Sequence, residues 1–187
     1  MAVTFFYGMS GTFKGTTINS ILNSGQDYVA VKSMIKPWKD LEQGIFNGLI
    51  DYNDLNYALL HLCILKHEID KKAAENILVE RGVSDMFYFM LRNNPELNIE
   101  SEVIQNAVIK EEELCKDLGI KKILLVQKDL EFIENNVLND LFRKATFPGG
   151  LNQYLKNQED YVEFTKMFNS SVSVIEIKDA YKYLDEL

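Results

Sequence analysis

Near its start the chain reads Gly8-Met9-Ser10-Gly11-Thr12-Phe13-Lys14-Gly15-Thr16-Thr17. These residue types at this spacing suit phosphate. Glycines let the backbone curl until several N–H groups face phosphate oxygens, and a lysine reaches the outer phosphates. Further on, Glu80-Arg81 sets an acid beside a guanidinium. The acid can hold a cation's water or take a proton, and the arginine can clamp phosphate oxygens with its fork of donors. A third group, Arg143-Lys144 followed by Pro148-Gly149-Gly150, places two cations next to a hinge.

These groups need elements to position them. Val3 to Tyr7 is rich in β-branched and aromatic residues and predicts a strand, and Ile18, Ile21 and Leu22 predict a helix after the loop. Strand, Gly-rich turn and helix is the layout of a phosphate-binding loop, whose helix N-terminus adds partial positive charge. The same stretch also reads as a Gly-rich turn with no ligand. Tyr28 to Met34 predicts a second strand, running into Lys36-Pro37-Trp38-Lys39-Asp40. Ligands of open α/β sheets meet the carboxyl ends of strands, which makes Lys36 and Trp38 candidates for an acceptor pocket. A Pro-marked turn with a half-buried tryptophan accounts for them equally.

A helix opens at Asp51 and runs through Lys66 or beyond, with Leu55, Ala58, Leu59, Leu62, Leu65 and Ile69 as its inward stripe. Tyr57 and His61 border that stripe, within reach of a ligand or simply packed. Ile77-Leu78-Val79 is a compact apolar run, as in a parallel strand buried on both faces. Glu80-Arg81 at its carboxyl end falls beside the loop if the sheet is doubly wound, and is otherwise a surface ion pair. Ile99 to Asp117 predicts a helix with Val103, Ala107 and Leu114 inward, Glu111-Glu112-Glu113 as a solvated face, and Gly119 as its cap. Lys121 to Gln127 is a fourth strand, and Asp129 caps a helix through Leu141. That helix leads into Arg143-Lys144, which also reads as a basic helix end stabilised by the dipole. Leu151 to Phe168 is helical, Val172 to Ile177 is a fifth strand, and Tyr181 to Leu187 is a last helix. Strands alternating with helices imply an α/β fold, with a five-stranded, mostly parallel sheet covered on both faces.

The 187 residues fit one domain, 1–187, and 47% hydrophobic with 26% charged residues is a globular composition. A net charge of −8 argues against a protein that coats polymeric nucleic acid or an anionic membrane, yet leaves room for a nucleotide site with a few local cations. No run is long and apolar enough for a membrane span, and no basic leader precedes Val3, so a cytoplasmic location is expected. Cys63 and Cys115 are far apart, with Cys63 expected as a buried hydrophobe.

Gly11-Thr12-Phe13-Lys14-Gly15-Thr16 resembles the G-x-G-K-G-T segment of adenylate kinases at every fixed position except Phe13, a position that often needs unusual backbone angles. Glu80-Arg81-Gly82-Val83-Ser84-Asp85 resembles the Glu-Arg-Ser motif of deoxynucleoside kinases, with Gly82 in place of serine. It is also similar to the Asp-Arg motif of thymidylate kinases, with Glu80 in place of aspartate. The stretch 142–152 resembles a kinase lid with fewer arginines than usual. The last helix and strand resemble those of thymidylate kinases, which implies adenine near Lys178-Asp179-Ala180.

Together these resemblances imply a compact, phage-like P-loop kinase with a three-layer fold and a short lid, often a homodimer. The implied activity is ATP-dependent phosphoryl transfer to a deoxynucleoside monophosphate in nucleotide biosynthesis. On that implication Gly8, Ser10, Gly11, Thr12, Phe13, Lys14, Gly15, Thr16 and Thr17 hold ATP, and Thr16 and Glu80 hold Mg²⁺. Lys36, Trp38, Tyr57 and Arg81 meet the acceptor, and Lys14, Glu80, Arg81 and Arg143 carry the transfer. Deoxynucleoside kinases carry an acid after the second strand. Here Lys36-Pro37-Trp38 stands there, which favours a monophosphate. A deoxynucleoside kinase, and a nucleotide-binding module without catalysis, stay open beside this reading.

Overall fold

The computed structural model describes residues 1–9, 11–24, 27–31, 56–71, 75–93, 95–139 and 147–184. Ser10, Lys36, Trp38 and Arg143 lie outside the described residues, as do the side chain of Tyr57 and most of the expected lid.

Five strands form one sheet: β1 (Ala2–Tyr7), β2 (Tyr28–Val31), β3 (Asn76–Glu80), β4 (Gly119–Val126) and β5 (Ser173–Glu176). Their order is β2-β3-β1-β4-β5 and every pairing is parallel. Helices α1 (Lys14–Leu22), α2 (Asn56–Lys71), α3 (Val83–Asn93), α4 (Ser101–Leu114), α5 (Leu130–Phe132), α6 (Gly150–Phe168) and α7 (Ile177–Leu184) fill the connections. A π-helical turn, Ile133–Val137, continues α5.

Alternation along the strands sorts the core into two sides. Val3, Phe5 and Tyr7 of β1, Ile77 and Val79 of β3, and Leu124 and Val126 of β4 share a cluster with Leu65, Tyr88, Tyr154 and Tyr161. Phe6, Leu78, Ile123, Leu125 and Ile175 face the other way, onto Ile18 and Ile21 of α1 and Ala180 of α7. Runs with no polar break, such as Ile77-Leu78-Val79, result from burial on both faces.

Several expectations shift by a residue or more. In α2 the inward positions are Ala58, His61, Leu62 and Leu65, and Leu59 is exposed. His61 takes an inward place because a buried carboxylate meets it. Cys63 is exposed rather than buried, since this turn carries it to the outer face. In α4 the inward pair is Ile104 and Val108, with Val103 exposed. Glu111 is fully buried rather than solvated, for a reason given below. Gly119 opens β4 instead of capping the preceding helix, whose C-cap is Cys115. Lys178-Asp179-Ala180 is not a loop, because β5 passes directly into α7. Asp129 does cap its helix, accepting from the Phe132 N–H at 2.9 Å.

No helix among the described residues is long and apolar enough to cross a membrane.

Candidate active site

The loop between β1 and α1 starts one residue beyond a tight register. Phe6 pairs with Glu80, and the Arg81 N–H donates to the Phe6 carbonyl at 3.0 Å. The carboxyl ends of β1 and β3 therefore lie side by side, and the sequence motifs at 8–17 and 80–81 share one end of the sheet.

The loop's backbone is of the kind glycine permits. Gly8 sits at φ 147°, and a Cβ there would fall 2.4 Å from Thr12 Oγ1 and 2.9 Å from the Leu125 carbonyl. Thr12 folds back inside the loop, donating to the Met9 carbonyl at 2.8 Å. The Lys14 ammonium is buried over the same loop, donating to the carbonyls of Gly8 at 2.5 Å and Met9 at 2.8 Å, and to Thr12 Oγ1 at 3.3 Å. Lys14, Gly15 and Thr16 are the first three residues of α1, and the opening N–H groups of a helix have no carbonyl one turn earlier. Thr17 donates its N–H to the Phe13 carbonyl at 2.9 Å and is buried, so it closes the first turn, while Thr16 is exposed.

Phe13 adopts φ 52°, ψ 23°, the left-handed conformation that glycine takes without cost. Its ring meets Phe132 edge-on, with centroids 5.1 Å apart. Nearby, a Cβ at Gly11 would strike the Val137 methyls at 2.8 and 2.9 Å. The turn that follows β4 thus packs directly against the loop. A left-handed non-glycine costs roughly 1–2 kcal/mol, and an edge-on aromatic pair returns about 0.5–1.5 kcal/mol. The two nearly cancel. Phe13→Gly is therefore expected to change stability by less than about 1 kcal/mol, whereas Phe132→Ala removes the compensation and keeps the strain. Urea midpoints of the two variants check this, and a large loss in Phe13→Gly would contradict it.

Glu80 and Arg81 are both buried at the end of β3. Arg81 is a second left-handed non-glycine, at φ 77°, which the sequence did not signal. Its guanidinium lies 4.7 Å over the Phe89 ring and 3.5 Å from Asp85 Oδ2. Asp85 also accepts from the Tyr161 hydroxyl, and Tyr161 Oη accepts the Gly8 N–H at 2.9 Å. Burial pushes the Tyr161 phenol well above its ordinary value, which keeps it a neutral donor. Burial also pushes the Asp85 carboxyl up to about 6, against the pull of Arg81, the Tyr161 hydroxyl and Lys14. Asp85 stands four residues after Arg81, a helix-like spacing that could have marked it, but nothing local marks Tyr161.

The raised Asp85 carboxyl has a signed consequence. A folded-state value above the unfolded one favours the folded state at low pH, and that advantage is lost as pH rises through about 6. Asp85→Asn is neutral at every pH. Between pH 4 and 7 the unaltered chain is therefore expected to lose stability relative to Asp85→Asn, read as diverging urea midpoints. Parallel curves would contradict this.

Gly82 departs from the serine of the resembled motif for a spatial reason. A Cβ there would lie 2.5 Å from Tyr7 Oη and 2.9 Å from Glu111 Oε2. Glu111 Oε1 accepts both the Val83 N–H, at the start of α3, and a hydrogen bond with His61 Nε2, each at 2.8 Å. Glu111 is thus a tertiary cap on the helix that carries Asp85, and His61 belongs to that cap. Below it, Asn169 accepts from Lys122 Nζ at 2.7 Å and donates to Ser84 Oγ at 3.0 Å. At the far side of the sheet, Glu176 pairs with Lys128 at 2.7 Å and Lys178 at 2.8 Å, and hydrogen bonds from these two lysines hold its carboxyl at about 2. Of the expected lid, Phe147 is buried against Tyr154, with ring centroids 5.2 Å apart.

A parallel sheet of this order, with helices on both faces and a glycine loop running from β1 into α1, defines the fold of the P-loop kinases. Solved structures with this fold include the deoxyadenosine kinase of M. mycoides, 16% identical, covering 98% of this chain and 95% of that one, TM-score 0.54. The thymidylate kinase of Candida albicans is 14% identical, covering 99% and 89%, TM-score 0.58. The shikimate kinase of Bacteroides thetaiotaomicron is 12% identical, covering 99% and 97%, TM-score 0.55. No protein-family model and no curated protein matches the chain by sequence. The named acceptors differ among these structures, so the likeness gives the fold and leaves the acceptor to the site.

Proposed function

We propose that this chain is an ATP-dependent phosphotransferase acting on a deoxynucleoside monophosphate. The observation that carries the reading is the β1–β3 register, which sets the phosphate loop with Lys14 beside Glu80-Arg81 at one end of the sheet. The loop and the first turn of α1 would hold the donor phosphates, with Lys14 leaving the loop carbonyls for phosphate oxygens. A phosphate oxygen of the acceptor attacks the γ-phosphorus, the bond from that phosphorus to the bridging oxygen breaks, and ADP leaves. A dianionic acceptor needs no base, so positioning and charge carry the rate.

Among the described residues no cluster of three or more His, Cys, Asp or Glu could hold a metal alone. The buried Glu80 carboxylate at the end of β3, beside the loop, fits Mg²⁺, which is bound by one or two carboxylates together with substrate phosphates. Glu80 and Thr16 would supply the protein's oxygens, and bound Mg²⁺ would offset charge on the transferring group. Arg81 would grip the acceptor, and Arg143, outside the described residues, would close over the transferring phosphoryl group, a role that the resemblance alone implies.

One observation favours a deoxynucleoside as acceptor instead: Arg81 already faces the Asp85 carboxylate, which leaves less of its charge for a dianion. A single experiment separates the readings. Purified chain, MgATP and a panel of deoxynucleosides and their monophosphates are mixed and ADP is followed. Turnover on one monophosphate is expected. Turnover on a deoxynucleoside alone moves the assignment to the second reading, and ATP binding with no turnover on any acceptor sinks both.

A further inference from the structure

Three buried groups connect the two halves of the site. The Gly8 N–H, at the root of the phosphate loop, donates to Tyr161 Oη at 2.9 Å. The Tyr161 hydroxyl donates to Asp85 Oδ1, and Asp85 Oδ2 faces Arg81 Nη1 at 3.5 Å. One carboxylate thus gives one oxygen to the donor side and the other to the acceptor side. Asp85 and Tyr161 are each 1% exposed, so water does not compete for these bonds. A buried network of this kind acts as a unit, because removing one member leaves another unpaired in a low dielectric.

Packing alone does not require the hydroxyl. The Tyr161 ring is held edge-on by Tyr88, with centroids 4.9 Å apart, and a phenylalanine would keep that contact. What the hydroxyl adds is an acceptor for a loop N–H and a donor to Asp85. Arg81 is a long side chain whose rotamer freedom must be restricted before it can aim at an acceptor, and Asp85 and Phe89 restrict it from two sides.

We propose that Tyr161 and Asp85 are positioning residues that hold the root of the phosphate loop and the acceptor arginine as one unit, so that the same two hydrogen bonds set affinity for donor and acceptor. The proposal rests on the phosphotransferase reading above. The hydrogen-bonded link from Asp85 to the loop runs through Tyr161 to the Gly8 N–H, so Asp85→Asn is expected to weaken MgATP binding about tenfold. Tyr161→Phe is expected to raise KM for MgATP and for the acceptor together, by a similar factor. The double variant should be no worse than the worse single one, as members of one network are not additive.

MgATP titration calorimetry on the unaltered chain, Asp85→Asn and Tyr161→Phe reads the donor side without any need for turnover. Steady-state KM values with the acceptor found in the panel read the other side. A purely packing role lowers melting temperature and kcat through the folded fraction but leaves both KM values and the MgATP affinity where they were, and that result overturns the proposal. So do effects confined to one substrate each, or effects that multiply in the double variant. If Asp85→Asn does not fold, Tyr161→Phe, with its ring packing intact, decides through its two KM values or, without turnover, through its MgATP affinity. MgATP binding that responds to Asp85→Asn in a chain with no turnover supports the coupling while sinking the kinase. Failure of the unaltered chain to bind MgATP at all sinks both.

Discussion

Lys14→Ala is expected to lower turnover by at least about 100-fold while the chain stays folded. The ammonium is buried over the loop and donates to the carbonyls of Gly8 and Met9 and to the Thr12 hydroxyl, all within 3.3 Å. It is already aimed at the place where donor phosphates would lie, so little reorganisation is needed when phosphate oxygens replace those acceptors. Removing one preorganised donor from such a site costs about 10²–10³ in rate in comparable enzymes. Lys14→Arg should not rescue it, because a planar fork does not fit the gap that a compact ammonium fills between two carbonyls. The loss should appear in kcat more than in acceptor KM. Residual turnover within tenfold of the unaltered chain, with a normal melting curve, would remove Lys14 from the chemistry.

The parts of this site that were legible in the sequence are those whose geometry is local. The glycine loop is a run of ten residues, 8–17, whose glycines and lysine act on their own neighbours. Glu80-Arg81 was legible because a compact apolar strand ends at it, and strand ends in such sheets face the ligand. Phe13 was marked as a residue in glycine's place, and it does take glycine's backbone angles. Its compensation was not legible, since Phe132 lies more than a hundred residues away on another element.

The same limit explains the misread helices. Glu111-Glu112-Glu113 has the composition of a wet face, and only the approach of α2 and the start of α3 turns its first member into a buried acceptor. His61 and Leu59 exchange inside and outside for the same reason: the polar partner that makes an inward histidine tolerable comes from α4. The bridge through Asp85 and Tyr161 is legible at one end, by its spacing from Arg81, and silent at the other.

Glu111→Ala is the stability change expected to be largest. Glu111 is fully buried, and its Oε1 takes both the Val83 N–H and the His61 ring nitrogen at 2.8 Å. Truncation leaves a helix-terminal N–H and an imidazole nitrogen without an acceptor, and opens a space where the carboxylate sat. Leaving a buried donor unsatisfied costs about 1–3 kcal/mol, and two are left here. Set against a total of about 5–15 kcal/mol for a folded chain, that is a large fraction. A fall in melting temperature on the order of 10 °C follows for a chain of this size. Glu111→Gln should lose less, because its amide oxygen can still accept from Val83. The effect also reaches the site. Val83 opens α3 two residues after Arg81, so loosening that cap frees the turn in which Arg81 holds its left-handed backbone. Acceptor KM should therefore rise in Glu111→Gln even where most of the chain remains folded. A melting temperature within about 2 °C of the unaltered chain in Glu111→Ala would show that the cap does not hold this end of the sheet.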